Sequence, residues 1–366
     1  MIPDEPVRGR FAYLEHPWLL SMTGLEQFEP FLRGRVPLAP LYNLTGLVAT
    51  EAALGTATFT MPATGWWQSS AGVFFGGTYA FVADAALGGA VFTVLPPATA
   101  LATSEISMSF LRPASVRSGH INARGRVIQA GRNQGLSEAL IEDAHGRLLA
   151  HATSRCVLTP LPFDPPPRPD PLPEIEMPAY EGPDPWQRPA DGALEPKEMW
   201  DTRSGLEFFS GWVEGRLPNA PVGNLFGWKG VLAEEGKAAM TMPASEWFCT
   251  APRGFYGGAL AVLADAVMGA AIGNTLPPAS SYATLDLKVH FLRPVDPDGR
   301  ELMGTGVVVH RGRRMAVATA DVTDADGKRV AMATTSALIF EGRSWIREGV
   351  SDTLGQTMAP DTDAGD

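Results

Sequence analysis

Between Gly72 and Pro97 the chain reads GVFFGGTYAFVADAALGGAVFTVLPP, and Asp84 is the one charged residue in the run. The Gly76-Gly77 pair opens a helix and the Pro96-Pro97 pair, which cannot continue one, closes it. An apolar helix with no polar face is buried on all sides, inside a protein or a bilayer. Only about 18 residues separate the two pairs, and a charge near the middle of a membrane span costs about 2.5–3.5 kcal/mol, so a core helix wrapped by protein fits better. From Gly254 the pattern returns as GFYGGALAVLADAVMGAAIGNTLPP, again with one carboxylate, Asp265.

The two acids are 265 − 84 = 181 positions apart, and the same shift superposes Met61-Pro62-Ala63 on Met242-Pro243-Ala244, Trp66 on Trp247, and Phe110-Leu111-Arg112-Pro113 on Phe291-Leu292-Arg293-Pro294. Roughly 50 of about 130 positions match without a gap, which identifies a duplicated unit. Within each unit an amphipathic segment (GLEQFEPFLRG, GLEFFSGWVEG) leads into two strand-like pieces, NLTGLVATEAA and GTATFTMPA in the first copy. After the helix, TLDLKVHFLRP alternates Leu285, Leu287, Val289 and Phe291 with polar residues, the period of a half-buried strand. Further strands are expected at about 119–130 and 134–142 and in LLAHATSRCVL. Strands without intervening helices make a mostly antiparallel sheet, so the class is α+β, each sheet wrapped around a central helix. The expected organisation is a first domain at 22–159, a proline-rich linker at 160–190, a second domain at 203–341 and a disordered acidic tail at 347–366.

Of 366 residues, 45% are hydrophobic, and the net charge is −11 with basic residues scattered, which disfavours nucleic acid and anionic membranes as partners. Cys156 and Cys249 lack CxxC spacing, the six histidines form no HxxxH or Cys/His cluster, and the start has no signal-peptide layout. A reduced, cytoplasmic protein without a metal site is expected, each cysteine being an inert side chain rather than a nucleophile.

GG-x4-VAD and GG-x4-LAD, the FLRP strand ends, the Gly-Arg turns and the closing DxxG hairpins together resemble the acyl-CoA thioesterases of the hotdog-fold superfamily, in the PaaI-like branch. The resemblance covers about 40–159 and 221–340, in tandem form. It implies two hotdog units paired as a pseudo-dimer, active sites where they meet, acyl-CoA as substrate, no cofactor beyond its coenzyme A, and two chains associating as a homodimer. The family's helical carboxylate falls on Asp84 and Asp265, and its glycines on Gly76-Gly77 and Gly257-Gly258. Phe75 and Tyr256 stand where the motif has His, and Ser69 and Thr250 where many members have Asn.

Thioester hydrolysis needs donors for an oxygen gaining charge and a base or nucleophile opposite. Amides near Gly77 and Gly258, at a helix start, supply the first, each worth about 2.7–4 kcal/mol of barrier. Asp84 and Asp265 supply the second, by activating water or by direct attack through a mixed anhydride. In the family each carboxylate faces its neighbour's helix start, which pairs Asp84 with Gly257-Gly258 and Asp265 with Gly76-Gly77. Each Asp reads alternatively as a buried residue bonded to a strand. Thr103 and Thr284 orient carboxylate or water, or are ordinary strand residues; Arg132, Arg313 and Arg314 meet CoA phosphates, or are exposed turn residues. Trp66, Trp247, Phe75 and Tyr256 line an acyl tunnel or pack the core. Two rivals remain: a non-catalytic acyl-CoA-binding or sensing protein, and a hotdog enoyl-CoA hydratase, which needs a catalytic His paired with an acid.

Overall fold

A computed structural model describes residues 11–175 and 182–342; the expected tail at 347–366 lies outside the described residues. The first half carries strands β1 (Val48–Ala53), β2 (Thr56–Pro62), β3 (Thr99–Phe110), β4 (His120–Ala130), β5 (Gln134–Asp143) and β6 (Leu148–Pro160). The second carries β7 (Lys229–Glu234), β8 (Lys237–Pro243), β9 (Ser281–Thr284), β10 (Asp286–Phe291), β11 (Glu301–Arg311), β12 (Met315–Thr323) and β13 (Arg329–Phe340). Every pairing is antiparallel. The order runs β1-β2-β4-β5-β6-β3 and then β10-β13-β12-β11-β8-β7, with β9 also on β13, so one sheet crosses the whole molecule. Its seam is β3 against β10, in register from Asp286 opposite Ser109 to His290 opposite Glu105.

Each half-sheet curls around the helix its sequence calls for, Gly77–Phe92 in the first half and Gly257–Gly273 in the second. Phe81, Val82, Leu87, Val262, Leu263 and Val267 are fully buried on these helices. At about 1.5–3 kcal/mol per large apolar side chain, the helices supply much of the core. The wrap is tight enough that strand and helix backbones touch. A Cβ at Gly125 on β4 or Gly306 on β11 would strike the carbonyl of Ala86 or Val267.

The leading amphipathic segments are helices Gly24–Leu32 and Gly205–Val213, each opened by a capping box, Thr23 with Glu26 and Ser204 with Glu207. Their first amides, on Gly24 and Gly205, donate to the carbonyls of Leu95 and Leu276 just beyond the central helices. Two expectations change. The start of NLTGLVATEAA is helical (Pro40–Thr45), because Pro40 suits a first helical position and Gly46 takes the left-handed cap. The strand expected through TLDLKVHFLRP breaks at Leu285 between β9 and β10, where the Asp286 carboxylate takes the Ser336 amide at 3.1 Å.

The proline-rich connector is fastened to the first half. Trp186 Nε1 donates to the Gly46 carbonyl at 3.2 Å, and Arg188 Nη2 to the Leu44 carbonyl at 3.0 Å. The Arg188 guanidinium lies over the Trp66 ring, 4.6 Å from its centroid. Among the described residues no helix is long and apolar enough to cross a membrane.

Candidate active site

The two central helices meet at their N-terminal turns, and the glycine pairs make the meeting possible. A Cβ on Gly77 would stand 2.9 Å from Val262 Cα, and one on Gly258 would stand 3.0 Å from Phe81 Cα. The preceding glycines make room for the acids. A Cβ on Gly257 would lie 3.0 Å from Asp84 Oδ2, and one on Gly76 would lie 3.0 Å from Asp265 Oδ2. Each carboxyl therefore reaches the helix start of the opposite half.

Asp84 and Asp265 are 5% and 3% exposed, so accessibility does not separate them. Their hydrogen bonds do. Asp84 Oδ2 accepts from the Gly258 amide at 2.8 Å and Oδ1 from the Thr103 hydroxyl at 2.9 Å. The Gly77 amide stands beside Asp265 and opposes the effect of burial on it, and among the described residues no second donor reaches the carboxyl. Burial pushes both acids up, and the hydrogen bonds pull them partly back. Asp84 stands at about 6 and Asp265, with fewer donors, at about 7.

The structure adds a distinction to the expected amide role. Of the amides expected to face a reacting oxygen, Gly258 is bonded to the Asp84 carboxylate instead, and Gly77 stands against that of Asp265. The amides one residue earlier, on Gly76 and Gly257, also lie outside the helix bonding pattern.

A cavity of about 770 Å³ opens on the Asp265 side, and Gly76, Phe75 and Thr284 line it together with Asp265. Asp84, Gly257, Thr103 and Tyr256 do not. Tyr256 is buried, and its hydroxyl donates to the Phe81 carbonyl. Arg132 and Arg313 sit exposed at hairpin turns, away from the cavity wall. The arginines on that wall are Arg112, Arg117 and Arg203. Trp66 and Trp247 belong to the core.

Sequence reasoning passed over three residues. Tyr282 on β9 lines the cavity, close enough to Asp265 that the carboxylate adds to burial in raising its phenol. A Cβ on Gly269 would stand 2.5 Å from the Tyr282 hydroxyl, so the missing side chain there is what seats the phenol. Gly223 also lines the cavity, whereas its counterpart in the first half, 181 positions back, is Tyr42. Comparing the copies for differences rather than matches would have found Tyr282, which aligns with Leu101, and Gly223, which aligns with Tyr42; Gly269 aligns with Gly88 and carries no such signal.

Cys156 and Cys249 are not on the cavity wall. Both are free and buried, with thiols pushed up to about 12, Cys156 by burial and then by Asp84, Cys249 by burial and then by Glu246. Among the described residues no group of His, Cys, Asp and Glu is placed to hold a metal.

The sequence model described as the thioesterase superfamily matches the chain twice, over residues 71–150 and 255–331. Each match takes in one Gly-Gly pair and its helical acid. Among solved structures the chain is similar to a candidate thioesterase II from Thermobifida fusca YX, at 17% identity over 84% of this chain and 100% of that one, with a TM-score of 0.50. A candidate thioesterase from Novosphingobium aromaticivorans DSM 12444 is similar at 14% identity over 79% and 97%, also at 0.50. An acyl-CoA thioesterase II, TesB2, from Mycobacterium marinum is similar at 14% over 84% and 99%, at 0.48. No curated protein matches the chain. The fold shared with the Thermobifida and Novosphingobium structures is a pair of hotdog-like domains.

Proposed function

For a chain built of two hotdog-like domains of the thioesterase superfamily, we propose acyl-CoA thioester hydrolysis to free acid and CoA, with the ordered GG-x4-LAD and FLRP motifs favouring the PaaI-like branch. The observation that carries this reading is the crossed arrangement, each buried helical carboxylate set against the opposite half's helix start. In the Asp265 cavity the Gly77 amide stands against the carboxylate, and the neighbouring Gly76 amide at the cavity wall serves the carbonyl oxygen. Its partial positive charge, reinforced by the helix dipole, stabilises the developing oxyanion.

Water attacks the carbonyl carbon while the Asp265 carboxylate takes its proton. The C–S bond then breaks, and the thiolate leaves and collects the proton. In the alternative sequence the carboxylate itself attacks, expels the thiol as a mixed anhydride, and water cleaves the anhydride. Both sequences need an ionised carboxylate, which an acid near 7 supplies at neutral pH while remaining a useful base. Arg112, Arg117 and Arg203 give the cavity a positive charge suited to an anionic thioester. A hydratase lacks its histidine here, since none lines the cavity.

The test is thiol release from a series of acyl-CoA thioesters by the full chain and by the Asp84→Asn and Asp265→Asn double variant. Release by the wild type and a loss of about 10²-fold or more in the variant is expected. Unchanged release in the variant refutes the carboxylate role, and binding without release favours the sensing protein. In line with the family resemblance, two chains associate, and sedimentation at micromolar concentration is the check.

A further inference from the structure

The two crossed sites began as copies, yet their surroundings differ at the positions that control access. As the third residue of the helix Pro221–Phe226 the second half has Gly223 on the cavity wall, and the first half has Tyr42 at the same place in the equivalent helix Pro40–Thr45. Tyr42 stands beside Asp84, whose charge adds to burial in pushing its phenol up to about 12. Tyr256 is raised by burial, Asp84 and Tyr42, and Tyr13 by burial and Tyr42. Three phenols thus occupy the Asp84 side, one of them brought in by the segment that precedes the first repeat. Tyr13 also packs against Phe31, with ring centroids 6.2 Å apart.

The carboxyls differ as their surroundings do. Thr103 and Gly258 satisfy both oxygens of Asp84, while the described residues give Asp265 a single donor and a cavity beside it. That cavity is faced by Trp200, Phe208, Phe209, Trp212, Trp228 and Phe340. At about 770 Å³ it falls within the range of roughly 300–1,000 Å³ common for small-molecule sites. Six aromatic side chains leave an apolar space too wide for an acetyl group to fill.

We propose that the two sites have divided their roles: the Asp265 cavity alone takes and hydrolyses a thioester with a bulky apolar acyl group, while the Asp84 cleft is closed by Tyr42 and its carboxyl ties the two helices together. The assignment rests on the thioesterase reading and sharpens it to one working site per chain. The chemistry is the hydrolysis already written, with water added and the C–S bond cleaved, and nothing else consumed. Gly223 is the residue that keeps the cavity open, because a tyrosine there reproduces what the first half already has.

The experiment uses the full chain with octanoyl-, benzoyl- and acetyl-CoA as substrates, and a non-hydrolysable octanoyl thioether of CoA titrated by calorimetry. The expected result is one analogue bound per chain and kcat/KM at least tenfold higher for the bulky thioesters than for acetyl-CoA. Gly223→Tyr loses both binding and turnover while keeping the wild-type unfolding midpoint. Asp265→Asn keeps one analogue per chain and loses about 10²-fold or more in kcat, which tests the same assignment should the tyrosine variant misfold. Two analogues per chain, wild-type turnover in a folded Gly223→Tyr, or more than a tenth of wild-type kcat in Asp265→Asn overturns the division. One analogue bound per chain with no thiol released overturns hydrolysis and leaves the single-cavity assignment standing. Neither binding nor release overturns both.

Discussion

Replacing Asp265 by Asn should make the protein more stable, and by more at alkaline than at acid pH. Burial raises this carboxyl from 3.8 to about 7, with the Gly77 amide only partly opposing. Below about pH 4 both folded and unfolded chains hold the proton, and the group contributes no difference. Between about pH 4 and pH 7 the folded chain keeps a proton that the unfolded chain has released, so stability falls as pH rises. Above about pH 7 the loss is complete, roughly 4 kcal/mol at about 1.36 kcal/mol per tenfold change in proton affinity. From about pH 5 to pH 8 the share lost is roughly 2–3 kcal/mol. Asparagine keeps an acceptor for the Gly77 amide but has no charge to desolvate, so this slope vanishes. The assay is urea unfolding of wild type and variant at both pH values, followed by tryptophan fluorescence and circular dichroism. The stability difference, variant minus wild type, should be roughly 2–3 kcal/mol larger at pH 8 than at pH 5. Equal differences at the two pH values, or a wild type that gains on the variant as pH rises, would refute the reasoning.

If Asp265 works as an ionised base, kcat/KM for thiol release should climb through about pH 7 as it loses its proton; a flat profile across that range contradicts the assignment. Tyr79→Phe leaves the Ala114 amide, which the tyrosine hydroxyl accepts at 2.5 Å, without a partner inside the core. The expected loss is about 1–3 kcal/mol of unfolding free energy, read by the same urea titration, and an unchanged midpoint would count against it. Gly125→Ala places a methyl on the Ala86 carbonyl, so a loss of about 1–3 kcal/mol is expected from the forced separation of strand and helix. A thermal melt matching wild type would show that the wrap is looser than the backbone contact indicates.

Features that repeat over a few residues were the ones readable in advance. The central helices announce themselves by apolar runs between Gly-Gly and Pro-Pro, and the strands after them by alternation, because both signals come from neighbours in the chain. The fixed offset between copies then singled out Asp84 and Asp265. Long-range features gave no such signal. That the Gly77 and Gly258 amides face carboxylates depends on how two helices cross, and no local pattern encodes the crossing. The connector's hold on the first half through Trp186 and Arg188 joins residues more than 120 positions apart. The last three residues of the helix Pro40–Thr45 were read into a strand-like piece because so few apolar residues show no period, and the Pro and Gly ends were the better guide. Tyr42 and Gly223 were missed for another reason: a search for repeats rewards identity, and these positions matter through their difference.

Joining both halves in one polypeptide has an evolutionary consequence. When identical subunits pair about a twofold axis, any substitution is made in both clefts at once, so neither can change without the other. A single gene encoding both halves removes that coupling. Tyrosine at position 42 and glycine at position 223 can then coexist in every molecule, and mutation can specialise one cleft while its twin holds the pair together.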